Sequence, residues 1–324
     1  MNILVTGGVG YIGSCLLSML GKEGFVRNSI IRSLDNNCSS EYSEVKRRFE
    51  GDKRYQFLIG DVTKDEDVRN SIEDIDTIVH LAAISGLDPC MKDPRNAILT
   101  NVYGTQRVLE LAAKSDVKRI AFASSAAVYG NPGKGPIIEE GELRPLSLYG
   151  ITKVAGEQLV KTYNENHGLC LTVLRLANVY GLGIYTLGNT VTTRFVKAAV
   201  EGKPLEIYGS GEQVRNFVHV TDVARAIIKC MNAKEKIING EVFNIGGRKS
   251  FRINEHAGHI LRLVKKELGK SANVIHTSPR SGESYTQNFE YSIEKAEKLL
   301  GYNTCVTLEE GISELIHYIK NPAI

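Results

Sequence analysis

Several features that would announce a function are missing from this 324-residue chain. No run of apolar residues approaches the roughly 18 that a membrane-spanning helix needs, so no membrane partner is expected. An excess of one charge is also missing, since 40 Lys and Arg against 37 Asp and Glu leave a formal charge of +3. The basic residues are spread along the chain and form no stripe interleaved with aromatics, so no nucleic-acid partner is expected. The six cysteines, Cys15, Cys38, Cys90, Cys170, Cys230 and Cys305, lie far apart, without C-x-x-C and without clustered histidines. That pattern argues against a metal site or a disulfide framework and for a reducing compartment. The first residues, Met1-Asn2-Ile3-Leu4-Val5-Thr6, lack a basic start and a cleavage site, so they do not read as a signal peptide. No low-complexity linker or internal repeat divides the chain. A soluble cytoplasmic α/β protein is expected.

What the chain does contain is an alternation of two periodicities. Short β-rich apolar runs at 3–5, 29–34, 56–59, 77–81, 119–123 and 171–176 read as strands. Their nearly continuous apolar character suits strands buried on both faces. Helix-period hydrophobicity fills 11–22, 41–50, 64–73, 94–114 and 147–167 between them. Such alternation predicts right-handed βαβ units in a doubly wound parallel sheet. From about residue 180 the rhythm changes: Gly181-Leu182-Gly183, Gly209-Ser210-Gly211 and Gly246-Gly247 separate shorter elements, with helices predicted near 253–269, 292–300 and 308–319. We expect a sheet domain over 1–180 and a smaller α/β substrate-binding lobe over 181–324, with a soft boundary that the chain can cross.

Two clusters carry chemistry. Gly7-Gly8-Val9-Gly10-Tyr11-Ile12-Gly13 follows the first strand and opens a helix. Gly7 permits the tight turn, Gly10 lets the backbone approach a pyrophosphate, and Gly13 lets helix pack on strand. The helix start then offers unpaired N–H groups and a positive dipole end to phosphates. Asp35 closes the second strand, where a carboxylate accepts bonds from an adenosine ribose diol and repels a 2′-phosphate, so NAD is favoured over NADP. Asp61 and Val62 end the third strand, at a place suited to an adenine. These features in this order predict a Rossmann-type dinucleotide site.

In the second cluster, Tyr149-Gly150-Ile151-Thr152-Lys153 sits at the start of a helical stretch, and i, i+4 spacing puts both side chains on one face. A lysine ammonium beside a phenol favours the phenolate, so Tyr149 is expected to have a lowered pKa and to exchange protons near neutrality. Ser125, at the carboxyl end of the preceding strand, is expected to hydrogen-bond the same substrate oxygen.

Taken together, Gly7–Gly13, Asp35, His80-Leu81-Ala82-Ala83, Ser125, Tyr149 and Lys153 resemble the extended short-chain dehydrogenase/reductases, in their NAD-dependent nucleotide-sugar epimerase/dehydratase branch. Leu34-Asp35-Asn36-Asn37-Cys38-Ser39-Ser40 is similar to the stretch after the second strand of UDP-galactose 4-epimerases. The resemblance covers nearly the whole chain. It implies NAD contacts from Gly7, Gly10, Tyr11, Ile12, Gly13, Asp35, Asn36, Cys38, Ser39, Ser40, Asp61, Val62, Leu81, Ala82, Ala83 and Asn101, together with Tyr149 and Lys153. Asn101 is also implied to order the site around the tyrosine. For a nucleotide sugar, most simply UDP-linked, it implies contacts from Asn178 in Arg175-Leu176-Ala177-Asn178, from Arg215 in Gln213-Val214-Arg215-Asn216-Phe217, and from Arg280 in Pro279-Arg280-Ser281-Gly282. Ser85, Ser125, Tyr149 and Tyr208 are expected to complete the substrate site, and arginine's planar fork suits the diphosphate. A homodimer built from the helical stretches 94–114 and 147–167 is implied as well.

The resemblance implies oxidation of a sugar C4 hydroxyl, with Tyr149 taking the O4 proton and NAD the hydride. Family dehydratases carry an Asp-Glu pair directly after the Ser/Thr, where this chain has Ala126 and Ala127, and methyl groups move no protons. With nothing further supplied, the ketone turns over and takes hydride back on its other face, which is C4 epimerisation. The segment Ala82-Ala83-Ile84-Ser85, the residue Ala177 and the loop Ser85–Cys90 depart from common galactose-epimerase patterns. They leave UDP-glucose, UDP-N-acetylglucosamine and UDP-glucuronate open as sugars, and reduction of a 4-keto sugar nucleotide as the alternative reaction. Cys90, His80 and His219 are expected to be structural.

Overall fold

The computed structural model describes residues 1–22, 29–37, 41–133, 135–185, 190–280 and 289–321. Twelve strands are described in chain order: β1 (Ile3–Thr6), β2 (Ile31–Asp35), β3 (Tyr55–Ile59), β4 (Thr77–His80), β5 (Arg119–Ser125), β6 (Cys170–Leu176), β7 (Asn178–Tyr180), β8 (Leu205–Tyr208), β9 (Val214–His219), β10 (Val242–Ile245), β11 (Ser250–Arg252) and β12 (Val274–Thr277). Seven of them form one all-parallel sheet in the order β10-β6-β5-β4-β1-β2-β3. The expected doubly wound sheet is present, and β1, β4 and β6 are buried on both faces as their continuous apolar runs require, while the edge strand β3 is only partly buried.

Alternate residues of β1 supply the two layers of core. Ile3 and Val5 meet Leu16, Leu17 and Leu20 of the helix Tyr11–Lys22 and Val223, Ala224 and Ile227 of the helix Val220–Asn232. Leu4, with Ile78 and Ile120, meets Val68, Val108, Leu109 and Val160 on the opposite face. Each fully buried aliphatic side chain stabilises by about 1.5–3 kcal/mol, so these two layers supply the main force holding helices to sheet.

The chain winds outward from β1 through β2 to β3, then jumps to β4 on the other side of β1. The change of direction between β1 and β4 leaves a crevice at the carboxyl ends of the strands, the place where doubly wound sheets bind ligands. After β6 the chain leaves the sheet. It forms a three-stranded sheet β11-β9-β7 and a parallel pair β12-β8, packed around Phe195, Ala199, Ile260, Val264, Ile312 and Ile316. In between, the helix Val220–Asn232 and β10 return to the large sheet, β10 pairing along β6. The smaller lobe therefore stands over the carboxyl ends of the strands.

One expected helix differs in detail. The stretch 94–114 divides into the α-helix Pro94–Ile98, a π-helical segment Leu99–Gly104 and the α-helix Thr105–Ala112. The wide turn carries Asn101 into the interior, where it is buried. π-segments of this kind occur most often at functional sites.

Candidate active site

The crevice is a cleft of about 1240 Å³ lined from both lobes. At one end lies the glycine loop. Gly7 has φ of +71°, and a Cβ there would stand 2.8 Å from the Ala82 nitrogen. A Cβ on Gly13 would lie 2.2 Å from the Gly7 carbonyl oxygen, within the same turn. Only hydrogen fits at these positions, so the turn packs directly on the backbone after β4 and the helix start packs directly on the turn. The Asp35 carboxylate faces the loop, accepting from the Val9 N–H at 3.2 Å and the Asn37 N–H at 3.3 Å. Burial pushes its pKa up and those backbone donors oppose the rise. Gly10, Ile12, Asn36, Asp61, Val62, Leu81, Ala82 and Ala83 line the same half. Tyr11 lines it too, with its hydroxyl donating to the Gly181 carbonyl at 2.8 Å. Cys38, Ser39 and Ser40 lie outside the described residues. Helix-start N–H groups, an acceptor for a diol and a cradle that a Cβ would fill fit a dinucleotide.

At the centre, Tyr149 and Lys153 project from the first turns of the helix Leu148–His167. Ser147 caps that helix, its hydroxyl accepting from the Gly150 N–H at 3.1 Å, and Gly168 ends it at φ of +66°. Ser125, the last residue of β5, accepts from the Ala127 N–H at 3.2 Å and lines the same wall of the cleft as Tyr149. The Lys153 ammonium donates to the Ala123 carbonyl at 2.8 Å and lies 5.9 Å from the Tyr149 ring centroid. The three expected catalytic residues thus converge on one wall of the cleft.

Their electrostatics correct one expectation. Burial pushes the Tyr149 phenol up to about 12, the nearby Ser125 hydroxyl opposing the rise. The expected lowering is absent because desolvation outweighs any help from Lys153, whose own pKa burial brings down to about 8. Neither quantity is visible in residue spacing.

The supporting polar groups are fully engaged. Asn101 accepts from the Ile84 N–H at 2.8 Å and donates to the Ile84 carbonyl at 2.9 Å and the Thr152 hydroxyl at 3.0 Å. Thr152 in turn donates to the Tyr149 carbonyl at 2.8 Å. Asn101, implied as both a cofactor contact and an organiser, directs both amide atoms to protein and ties loop 84–86 to the catalytic helix. His80 spans Thr6 at 2.7 Å and Thr105 at 3.0 Å. Because Thr105 donates to the Asn101 carbonyl at 2.7 Å, it accepts from His80 Nε2–H, and Nδ1 accepts from Thr6. Burial drives His80 down to about 3, so it is a neutral structural bridge. Cys90 is buried, with Sγ 3.3 Å from the Ile84 carbonyl.

The other half of the cleft is lined by Ala177, Asn178, Tyr208, Arg215 and Arg280 from the segments after β6, and by Ser85 from the loop after β4. Asn178 donates to the Asn216 carbonyl at 3.0 Å, and Arg215 to the Val214 carbonyl at 2.8 Å. The Tyr208 ring carries two guanidinium groups, Arg280 at 4.9 Å and Arg194 at 5.3 Å from its centroid. Arg280 also pairs with Asp88 across the mouth of the cleft. Sequence reasoning missed Arg194 and Asp88. Arg194 follows Thr192 and Thr193 at the start of the helix Val191–Val200, a short pattern with no chemical signature of its own.

This arrangement agrees with known proteins. A putative UDP-glucose 4-epimerase of Methanocaldococcus jannaschii is 34% identical over 98% of this chain and 98% of its own length. The crystal structure of UDP-glucuronic acid 4-epimerase from Bacillus cereus, in complex with UDP-glucuronic acid and NAD, superposes with a TM-score of 0.89 at 31% identity, covering 99% of this chain and 100% of that one. UDP-glucose 4-epimerase of Thermotoga maritima with UDP-glucose gives a TM-score of 0.87 at 30% identity, with 100% of both chains covered. The model of the NAD dependent epimerase/dehydratase family matches residues 3–246, and the chain belongs to that family.

Proposed function

We propose that this protein is an NAD-dependent epimerase that inverts C4 of a UDP-linked hexose of the glucose/galactose type. The observation that carries the reading is the convergence of Ser125, Tyr149 and Lys153 beside the glycine cradle, with Ala126 and Ala127 following Ser125. Proton-transfer groups for one hydroxyl are present, and the two positions after Ser125 carry no acid or base for an elimination.

NAD, held by the Gly7–Gly13 turn and Asp35, supplies the hydride acceptor and donor when bound, and the positive charge of its nicotinamide favours the Tyr149 phenolate. Tyr149 takes the proton from the C4 hydroxyl and later returns one. Ser125 holds the same oxygen through its hydroxyl. Lys153 stabilises negative charge on the phenol while Ala123 fixes the ammonium. Arg194, Arg215 and Arg280 suit the diphosphate, and the Tyr208 ring suits the base. Anchoring the nucleotide in the smaller lobe leaves the keto-sugar free to present either face at the catalytic wall. Loops 82–87 and 176–185 contain no Lys or Arg, so the sugar end of the cleft suits a neutral hexose.

The reading is tested by the cofactor and one variant. An epimerase of this kind carries NAD through purification and interconverts UDP-glucose and UDP-galactose with none added. Tyr149→Phe keeps the bound NAD and loses interconversion. Protein that instead consumes added reduced cofactor stoichiometrically is a reductase.

The assembly we assign is a homodimer. Ile98, Leu99 and Tyr103 are 49%, 38% and 46% exposed, and Ile151 on the catalytic helix is 53% exposed. Val108, Leu109 and Val160, on the same helical stretches, are buried inside the chain. Exposed apolar residues on neighbouring helices suit a four-helix contact with a second copy. Light scattering that shows a monomer at micromolar concentration contradicts it. A cytoplasmic location agrees with the buried free thiols Cys15, Cys90, Cys170 and Cys230, and no described helix is long and apolar enough to cross a membrane.

A further inference from the structure

Beneath the catalytic wall lies a buried ion pair to which the mechanism above gives no part. Glu157 continues the face that carries Tyr149 and Lys153, at i+8 and i+4 from them. Its carboxylate takes a forked pair of bonds from Arg175 of β6, Nε to Oε1 at 3.0 Å and Nη2 to Oε2 at 2.7 Å. Both side chains are 5% exposed. The Ser124 hydroxyl donates to Oε1 at 2.5 Å, and Ser124 is the register partner of Arg175 across β5 and β6. Arg175 is held from behind by the Tyr129 hydroxyl at 2.7 Å and the Glu139 carbonyl at 2.8 Å.

We infer that Glu157 is a positioning residue for the reaction: it seats the catalytic helix on the carboxyl ends of β5 and β6 and sets the charge that Lys153 faces. Geometry gives the first half. Ser124 immediately precedes Ser125, so one carboxylate ties the strand end carrying the serine to the helix carrying tyrosine and lysine. Electrostatics gives the second half. The ionisable groups facing Lys153 are Tyr149, Cys90 and His80, with Glu157 one turn along, and the Glu157 charge supports the ammonium against burial. Around Glu157 itself stand Arg175, Ser124, Lys153 and Tyr291. A buried ion pair is no better for stability than an apolar pair of the same volume, so its place under the lysine is what calls for a role.

The inference rests on the epimerase reading, and the experiment separates the two. The rate of sugar interconversion is measured against pH for wild type, Glu157→Gln and Glu157→Gln/Arg175→Gln. In wild type the rate rises with pH as the Tyr149/Lys153 pair loses its first proton. In E157Q the Arg175 charge stands unopposed, so the pair releases that proton more easily and the midpoint moves down by about one pH unit. Its kcat falls about tenfold or more while KM stays within about threefold. The double variant, which removes the Arg175 charge but still lacks the Glu157 charge, moves the midpoint only part of the way back, with kcat still low. A midpoint unmoved in E157Q overturns the inference, since loss of packing alone lowers amplitude without shifting it. Ser124→Ala, which keeps the ion pair, covers the case of an unfolded E157Q: kcat falls several-fold at unchanged KM and midpoint, and wild-type kcat overturns the inference. Wild-type protein that interconverts no sugar nucleotide contradicts the proposed function instead.

Discussion

Replacing Gly13 by alanine tests whether the glycine turn is a cradle whose geometry no side chain tolerates. The added Cβ would lie 2.2 Å from the Gly7 carbonyl oxygen, 2.7 Å from Gly8 Cα and 2.8 Å from the Gly8 carbonyl carbon, against 3.4 Å for ordinary contact. All three neighbours are backbone, so no rotamer change relieves the overlap, and the turn or the helix start must move by about an ångström. Overpacking of this kind costs about 1–3 kcal/mol. For a chain of this size that lowers Tm by about 1–2 °C for each kcal/mol. The displaced atoms are the ones assigned to the pyrophosphate, so the loss is concentrated in cofactor binding. NAD raises Tm by favouring the folded state, and in Gly13→Ala that rise shrinks along with the affinity measured by calorimetry. Gly258 supplies the control. It lies in the helix Ile253–Leu268, and a methyl group added there would meet nothing within 4 Å, so Gly258→Ala raises stability by about 0.5–1 kcal/mol and leaves NAD binding alone. A Gly13→Ala protein with wild-type Tm and wild-type NAD affinity refutes the reasoning.

Other consequences follow from the same contacts. Tyr149→Phe retains NAD and lowers turnover by about a hundredfold or more, since the proton-transfer group is lost; assays with excess enzyme set the residual rate. Arg194→Gln raises KM for the nucleotide sugar about tenfold at nearly constant kcat, because one charged contact to the diphosphate contributes about 1.5–3 kcal/mol; an unchanged KM removes Arg194 from the site. Buried His80, His256 and His219 have pKa values brought down by burial to about 3, 3 and 4. Each is neutral when folded and takes a proton when unfolded, so stability is fully present above pH 6.5 and is lost as pH falls from there toward 4 and 3. Each contributes a slope of up to about 1.4 kcal/mol per pH unit. Urea titrations at pH 7.5, 6 and 5 read that slope, and a flat profile contradicts the neutral assignment.

The parts of the site legible in the residues are those set by local geometry. Helical spacing alone places Tyr149 beside Lys153, and a strand followed by G-x-x-G-x-x-G places the cradle at the crevice. Asp35 follows from its position at the end of β2. Other features were hidden because they depend on distant partners or on burial. The Asp88–Arg280 pair joins residues 192 positions apart. The π-segment around Asn101 reads as ordinary helix from hydrophobic period, because its wide turn is stabilised by contacts to Ile84 and Thr152 in other elements. The upward shift of Tyr149 reverses the expectation from its lysine neighbour, since the depth of burial is a property of the packed cleft. The return of β10 to the large sheet was similarly hidden, its apolar run being like any other short strand.

The central claim is that a single oxygen of a bound sugar is deprotonated by Tyr149 and that nothing else in the cleft diverts the resulting ketone. Proton NMR of the anomeric region tests it most directly. UDP-glucose and UDP-galactose are incubated separately with the purified protein and no added cofactor. The account predicts that both samples reach the same mixture, with C4 inverted and no 6-deoxy signal. A 4-keto-6-deoxy product, or two samples that remain unchanged while enzyme-bound NAD is present, would contradict it.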